Sequence, residues 1–379
     1  MLLRMRIGID ARFYGSIGKG LGRYTQKLIQ ELEKLPGDDQ FIIFLRRENY
    51  SEYQPMNSRF TKVLADFSWY GWREQLLFPV LLYRHGVDCM HFPHFNVPLL
   101  YWKKSIVTIH DLILFHYPTV KASELSPLLY WIKYWVYRFV ILMAVHRAQR
   151  VIVVSRFTAD DVLKAFPLVK KKLLVTYEAA ENYCFWSGRD ASRDFLQSLG
   201  LRSKQYILYV GNAYPHKNLE CLLSTAEQLS EKIFVCVGKE DYFYRNLHQK
   251  AKNMGLKNVF FVGFIPDREL AILYREAMCY FFPSLYEGFG LPGLEALIHG
   301  LPVVAAQAGA LPEILGKAAC YFDPEDQLSA IDLLKRVEKD ISFRLHLIQN
   351  GYQRSSKFSW DHMASLTLRG YHKGENIDV

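Results

Sequence analysis

The chain has 379 residues, half of them hydrophobic and 22% charged; this suits two domains of ordinary size and excludes a disordered or fibrous protein. Its formal net charge is +9, and the excess is local: residues 1–190 hold 26 Lys and Arg against 17 Asp and Glu, the remainder 21 of each. A basic first half points to phosphorylated substrates or an anionic membrane surface, and away from nucleic acid, because there is no dense Lys/Arg stripe and no zinc-finger or RNP-type motif.

RIGID (residues 6–10) reads as the first strand, followed by GSIGKGLGRY and a helix whose apolar positions Tyr24, Leu28, Leu32 and Leu35 share a face. Gly18, Gly20 and Gly22 let the backbone approach a ligand, and the helix start favours an anion such as a diphosphate. The same glycines suit a flexible loop, since no tight GxGxxG follows the strand. VDCMHF leads into HFPHF, where His91 and His94 read as loop packing or acceptor contacts; no third ligand stands at a useful spacing for a metal. SIVTI delivers His110 and Asp111 at its carboxyl end, suited to hold a sugar hydroxyl and to fix the imidazole tautomer or serve the acceptor. Residues 128–145 (LLYWIKYWVYRFVILMAV) approach the length of a membrane span but carry Lys133 and Arg138. A mostly buried helix leading into RVIVVS is favoured over a membrane-surface helix. After KLLVTYEAA, residues 181–204 show no clean period, which predicts a domain boundary.

Beyond it, YILYVG, KIFVCVG, NVFFVGF, CYFFPS and PVVAA alternate with helical patterns. The whole alternation predicts an α/β chain of two doubly wound Rossmann-like domains, with ligands in a cleft at the carboxyl ends of the strands. GNAYPHKNL puts Lys217 at a strand-turn-helix junction, where a cation opposing the helix dipole is explained by a bound phosphate; a solvated surface lysine is the alternative. The most informative stretch is PSLYEGFGLPGLEAL. Pro292 fits a first helical turn starting near Gly290, and Glu287 and Glu295 flank that anion site, suited to sugar and ribose hydroxyls. The six cysteines (Cys89, Cys184, Cys221, Cys236, Cys279, Cys320) lack CxxC spacing, and MLLRMRIGID has no apolar stretch of signal-peptide length. Both predict a reducing cytoplasm.

Taken together, IGIDAR with its glycines, TIHDL, VVSRFTADD, YVGNAYPHKNL, VGFIPDREL, the E-x7-E stretch EGFGLPGLE and FSWDHMA resemble glycosyltransferase family 4 (group 1), retaining enzymes of the GT-B fold. The resemblance implies an acceptor domain over 1–183, a donor domain over 184–356, and a helix in 357–379 crossing back to the first domain. It implies that Glu287 binds the donor hexose, Glu295 the ribose and Lys217 the diphosphate, with N–H groups of Phe289, Gly290 and Leu291 near sugar and phosphate. His110 would hold a sugar hydroxyl, Gly18 to Gly22 would lie under the diphosphate, and the stretch from Gly263 through Phe264 to Leu270 would pass the base. The family's usual arginine beside the lysine is replaced by Asn212 or His216, so that Arg156 or another cation would complete the phosphate shell.

The implied partners are a nucleoside diphosphate sugar, a glycan or lipid-linked acceptor touched by Asp111, His94 and Arg156, and an anionic membrane approached by Trp69, Trp72, Trp131 and Trp135. No metal or cofactor is expected, because no Asp-x-Asp motif occurs. The rival readings are a sugar-nucleotide epimerase and a non-catalytic sugar-nucleotide-binding subunit of a glycan assembly complex.

Overall fold

The computed structural model describes residues 4–118, 127–181 and 189–372. Two compact units divide them: residues 4–112, 127–178 and 359–372 form unit 1, and residues 113–118, 179–181 and 189–358 form unit 2. The units divide after Glu178, with a short excursion after residue 112 into unit 2. The boundary expected at 183/184 lies, with Cys184, outside the described residues.

Through unit 1 the chain runs β1 (Arg6–Asp10), α1 (Lys19–Lys34), β2 (Gln40–Leu45), β3 (Phe60–Leu64), α2 (Trp72–Arg84), β4 (Cys89–Phe92) and β5 (Ser105–Ile109). After α3 (Ile113–His116), which belongs to unit 2, come α4 (Pro127–Arg147), β6 (Arg150–Val153), α5 (Arg156–Ala165) and β7 (Leu173–Val175). The seven strands form one parallel sheet in the order β3-β2-β1-β4-β5-β6-β7. Helices cover both faces of such a sheet, so its central strands are short unbroken apolar runs rather than alternating ones; all four residues of β4 are buried.

Unit 2 continues with α6 (Arg189–Ser198), β8 (Tyr206–Val210), α7 (Leu219–Gln228), β9 (Ile233–Val237), α8 (Tyr242–Asn253), β10 (Val259–Gly263), α9 (Asp267–Glu276) and β11 (Cys279–Phe282). There follow α10 (Leu291–Ile298), β12 (Val303–Ala306), α11 (Leu311–Leu315), β13 (Ala319–Phe322), α12 (Gln327–Lys339) and α13 (Ile341–Ser355). Its six parallel strands are ordered β10-β9-β8-β11-β12-β13. The last helix, α14 (Trp360–Tyr371), is part of unit 1 and packs on α1. Tyr371 Oη lies 2.8 Å from His91 Nδ1, and His91 Nε2 lies 2.9 Å from Thr108 Oγ1, all three buried.

In both sheets the strand order reverses beside the first strand, at β1/β4 and at β8/β11. Segments leaving the carboxyl ends of those strands are where open α/β sheets bind ligands.

The structure departs from the sequence expectations at four places. Strands β2, β3 and β13 add to those predicted, and α6 occupies part of the segment read as irregular. The glycine segment is mostly helix: a 3-10 turn spans Gly15–Gly18 and α1 begins at Lys19, so Gly20 and Gly22 lie in its first turns. Finally, α4 is not a buried helix. Only 22% of its apolar window is buried; Ile141, Ala144 and Val145 enter the core, whereas Leu128, Ile132, Trp135 and Phe139 are exposed.

Candidate functional site

In unit 2, the loops after β8 and β11 meet. Pro215–Lys217 form a 3-10 turn closed by Asn218 in the left-handed region (φ 52°). Leu285 N donates to His216 O at 2.8 Å, tying the two loops together. Lys217 Nζ lies 2.6 Å from Glu287 Oε1, with side chains 13% and 9% exposed. That exposure rules out the solvated lysine and leaves the pair reachable. His216 is buried, and burial, assisted by the charge of Lys217, pushes its imidazole down to about 3. Without an anion beside it, the ring is neutral near pH 7. Asn212 serves its own turn: its carbonyl accepts from Tyr209 Oη at 2.7 Å and its side chain from Tyr214 N at 3.4 Å.

The next helix, α10, starts where the sequence puts it. Gly290 is its N-cap at φ 90°, and a Cβ there would come within 2.6 Å of Leu311 Cδ2, so both backbone and packing require glycine. Pro292 lies in the first turn and Leu291 is half-buried. The first-turn N–H groups of a helix lack helical acceptors and carry the positive end of its dipole. The Glu287 carbonyl accepts from Ala310 N at 3.0 Å, fixing this loop on α11. Phe289 is buried and meets Phe358 edge-on, with centroids 5.8 Å apart. Glu295 is buried on α10 and accepts from Tyr274 Oη at 3.0 Å. Phe264, just past Gly263 at the end of β10, is 74% exposed. Residues 113–118 also reach this part of unit 2: the His116 ring is 5.1 Å from Tyr286, and that of Tyr117 is 6.2 Å from His216. A cavity of about 670 Å³ elsewhere in unit 2 is lined by Arg193, Arg202, Arg275 and Glu276, none of them a predicted site residue.

In unit 1, His110 leaves the end of β5 with both ring nitrogens engaged. Nδ1 lies 3.0 Å from Glu178 Oε1 and Nε2 lies 3.0 Å from Pro93 O. A carbonyl and a carboxylate both accept, so this geometry calls for a proton on each nitrogen. Burial opposes that charge, but the hydrogen bond and charge of Glu178, the Pro93 carbonyl and Asp111 outweigh it and raise the imidazole above its ordinary value. Tyr24 stands edge-on to the ring at 4.7 Å. Asp111 is half-buried beside it, and Arg156 is exposed at the start of α5. His91 is a packing residue in the Tyr371–Thr108 network. Burial and the neighbouring His110 push both His91 and His94 down to about 3. His94 packs against Phe95 and Phe13, and its Nδ1 accepts from Asn96 N at 3.3 Å.

Gly18 and Gly22 are held by their own chain: a Cβ would meet Phe13 O at 2.1 Å and Gly15 O at 2.1 Å, respectively. At Gly20 a Cβ would meet nothing within 4 Å. Among the described residues, no three His, Cys, Asp or Glu side chains are grouped to hold a metal ion. Sequence reasoning missed Glu178 and Tyr274, the partners that orient His110 and Glu295. Glu178 carried a usable signal, because it leaves an apolar strand at its carboxyl end as His110 does.

Two family models match the chain in succession: Glycosyltransferase Family 4 over residues 18–179 and Glycosyl transferases group 1 over residues 191–354. The O-antigen chain mannosyltransferase RfbU of Salmonella typhimurium is 27% identical over 339 residues, covering 86% of this chain and 89% of its own. Among solved structures, sucrose-phosphate synthase from Thermosynechococcus elongatus aligns over 97% of this chain and 98% of its own, at 18% identity and a TM-score of 0.75. The Anabaena protein HepE in complex with UDP-glucose aligns over 97% and 98%, at 16% identity and a TM-score of 0.73. At these identities the structural likeness shows the fold.

Proposed function

Because the chain belongs to the glycosyltransferases of family 4 and group 1, and is therefore a hexosyltransferase of the GT-B fold, we propose the following reaction. A mannose- or glucose-type hexose moves from a nucleoside diphosphate sugar to a hydroxyl of a glycan or lipid-linked acceptor in surface polysaccharide synthesis. Mannose is favoured by the relative RfbU, an O-antigen chain mannosyltransferase. The work is done on the cytoplasmic side, at an anionic membrane surface.

The observation that carries this reading is the largely buried Lys217–Glu287 pair, which keeps some exposure beside the amino end of α10, at the strand reversal of unit 2. A diphosphate needs a cation and N–H donors, a hexose needs an acceptor for its hydroxyls, and the pair supplies both once a ligand divides their tasks. Glu295, oriented by Tyr274, serves the ribose, and exposed Phe264 offers the base an aromatic face. The bond from the anomeric carbon to the diphosphate oxygen breaks, and the acceptor oxygen bonds that carbon on the same face. The acceptor's proton passes to the departing diphosphate, so configuration is retained. Lys217 and the dipole of α10 stabilise the negative charge growing on the leaving group, and no metal is required. His110, positioned by Glu178, reaches a substrate hydroxyl once its Nε2 releases the Pro93 carbonyl.

The test is a thermal-shift screen of wild type and Glu287→Gln against nucleoside diphosphate sugars, followed by turnover and the anomeric form of the product. One sugar nucleotide is expected to stabilise the wild type selectively and the variant less. Stabilisation by none of them would remove the donor reading. Binding without turnover on any acceptor would make the protein a non-catalytic sugar-nucleotide-binding subunit, and an inverted product would remove retention.

A further inference from the structure

The longest apolar helix of unit 1 leaves a stripe uncovered. On α4, Ile132, Trp135, Val136 and Phe139 follow at helical spacing and are all about half exposed or more, while Val140, Ile141, Ala144 and Val145 on the other side are core. This second half is anchored in the unit, so α4 cannot leave it to cross a bilayer. A second stripe runs along α2: Trp72, Leu76 and Val80 are exposed, four residues apart, opposite buried Phe78 and Leu82.

The loop over residues 93–104 joins the two stripes. Tyr83 Oη on α2 donates to Leu100 O (3.3 Å) and accepts from Trp102 N (2.8 Å). The Arg147 guanidinium at the end of α4 lies 4.0 Å over the Trp102 ring and donates to Leu99 O at 2.7 Å. Trp102 itself is 70% exposed. Helix α2, the loop and α4 are thus three parts of one connected face.

Charge identifies the occupant. Residues 72–84, 93–104 and 127–147 carry seven Lys and Arg and a single acid, Glu74. Glu74 is fully buried and paired with Arg12 at 2.6 Å, so it contributes nothing at the surface. An apolar strip with exposed tryptophans and a mainly cationic margin matches the headgroup region of an anionic leaflet, where aromatic rings sit at the interface and Lys and Arg meet lipid phosphates. A second copy is a poor occupant, because a two-fold dimer would set this cationic margin against itself.

We propose that α2, the 93–104 loop and the exposed stripe of α4 form a docking face for an anionic lipid bilayer, lying in its headgroup layer without spanning it. This deepens the membrane partner of the proposed function and rests on that reading only for its purpose; the face itself is argued independently of donor chemistry.

The full-length protein is sedimented with phosphatidylcholine vesicles, with and without phosphatidylglycerol, and compared with Ile132→Glu/Trp135→Glu and Trp72→Glu/Leu76→Glu. All four positions are about half exposed or more, and a thermal melt confirms that each variant folds. Wild type is expected on phosphatidylglycerol vesicles, less so at high salt, with each double variant binding at least about tenfold more weakly. Stabilisation by the sugar nucleotide should be unchanged in these variants, so loss of donor binding in wild type and loss of vesicle binding are separate failures. Three results would overturn the proposal: no preference for phosphatidylglycerol, full binding by both variants, or a concentration-dependent wild-type dimer that the variants abolish.

Discussion

Each unit places an ion pair just after the first strand of its sheet, and the two pairs differ in how fully they are satisfied. After β1, Arg12 is completely buried. It holds Asp10 through two hydrogen bonds of 2.8 and 2.7 Å and Glu74 at 2.6 Å, lies 4.3 Å over the Phe78 ring, and leaves Glu74 to accept also from Asn96 and Tyr70 N. After β8, Lys217 has one carboxylate partner and both side chains keep some exposure. A saturated buried network has no capacity left for a ligand and acts as a structural brace. An unsaturated one at the same topological place is where binding is to be sought.

Breaking the saturated network should have the largest effect on the fold. Arg12→Met strands Asp10 and Glu74 as buried carboxylates, and leaving a buried charge without its partner costs roughly 3–5 kcal/mol. Denaturant unfolding should report that loss, and a change below about 1 kcal/mol would mean that the network behaves like an exposed pair. Lys217→Met should weight the two effects differently: the fold loses less than in Arg12→Met, because one carboxylate rather than two is left and it keeps some exposure, while transfer falls by about 10²–10³, the scale for removing a donor to charge that grows in the transition state. Turnover near wild type in a folded Lys217→Met protein would erase the distinction between the two pairs.

His110 and Glu178 form an intermediate case, with both ring nitrogens used but the histidine side chain 20% exposed. Since the folded pKa is raised, the charged ring stabilises the fold fully below the ordinary imidazole value of about 6.5. That stability is lost as pH rises through the raised folded value. Glu178→Gln keeps a hydrogen-bond acceptor but removes the charge, so the His110 titration followed by NMR should move down towards the ordinary value. The loss of melting temperature with rising pH should end correspondingly lower and be smaller in total. An unmoved titration would show that the Pro93 carbonyl and Asp111 suffice without Glu178.

The readable parts of the sequence were those where one local rule decides. Pro292 behind Gly290 fixes the start of α10, and Lys217 and Glu287 leave adjacent strands at their carboxyl ends, so strand order alone brings them together. Strand β3, FTKVL, lies at the sheet edge with only its first residue buried, and edge strands carry weak patterns. QFIIFL in β2 is an apolar run too short to tell from a helical segment. The exposure of α4 was not legible, because which apolar helix is covered depends on neighbours rather than on its own sequence. Trp69, expected at the membrane, instead stacks on Phe13 at 4.4 Å beneath Arg46, a tertiary contact no local pattern announces.

The glycines of α1 give the finest version of the contrast between satisfied and unsatisfied positions. Gly22 is required by its own chain: a Cβ would stand 2.1 Å from Gly15 O and 2.5 Å from Phe13 O, both backbone atoms that cannot swing aside. Gly22→Ala should therefore destabilise the turn before α1. Gly20 is in helix with open space around it, and glycine in a helix costs up to about 1 kcal/mol relative to alanine. Gly20→Ala should then stabilise the fold by up to that amount, which thermal denaturation can check. If sugar-nucleotide stabilisation weakens in this more stable variant, the space at Gly20 is kept for a ligand. If it is unchanged, Gly20 leaves the candidate site and the glycine segment is explained by backbone packing at Gly18 and Gly22.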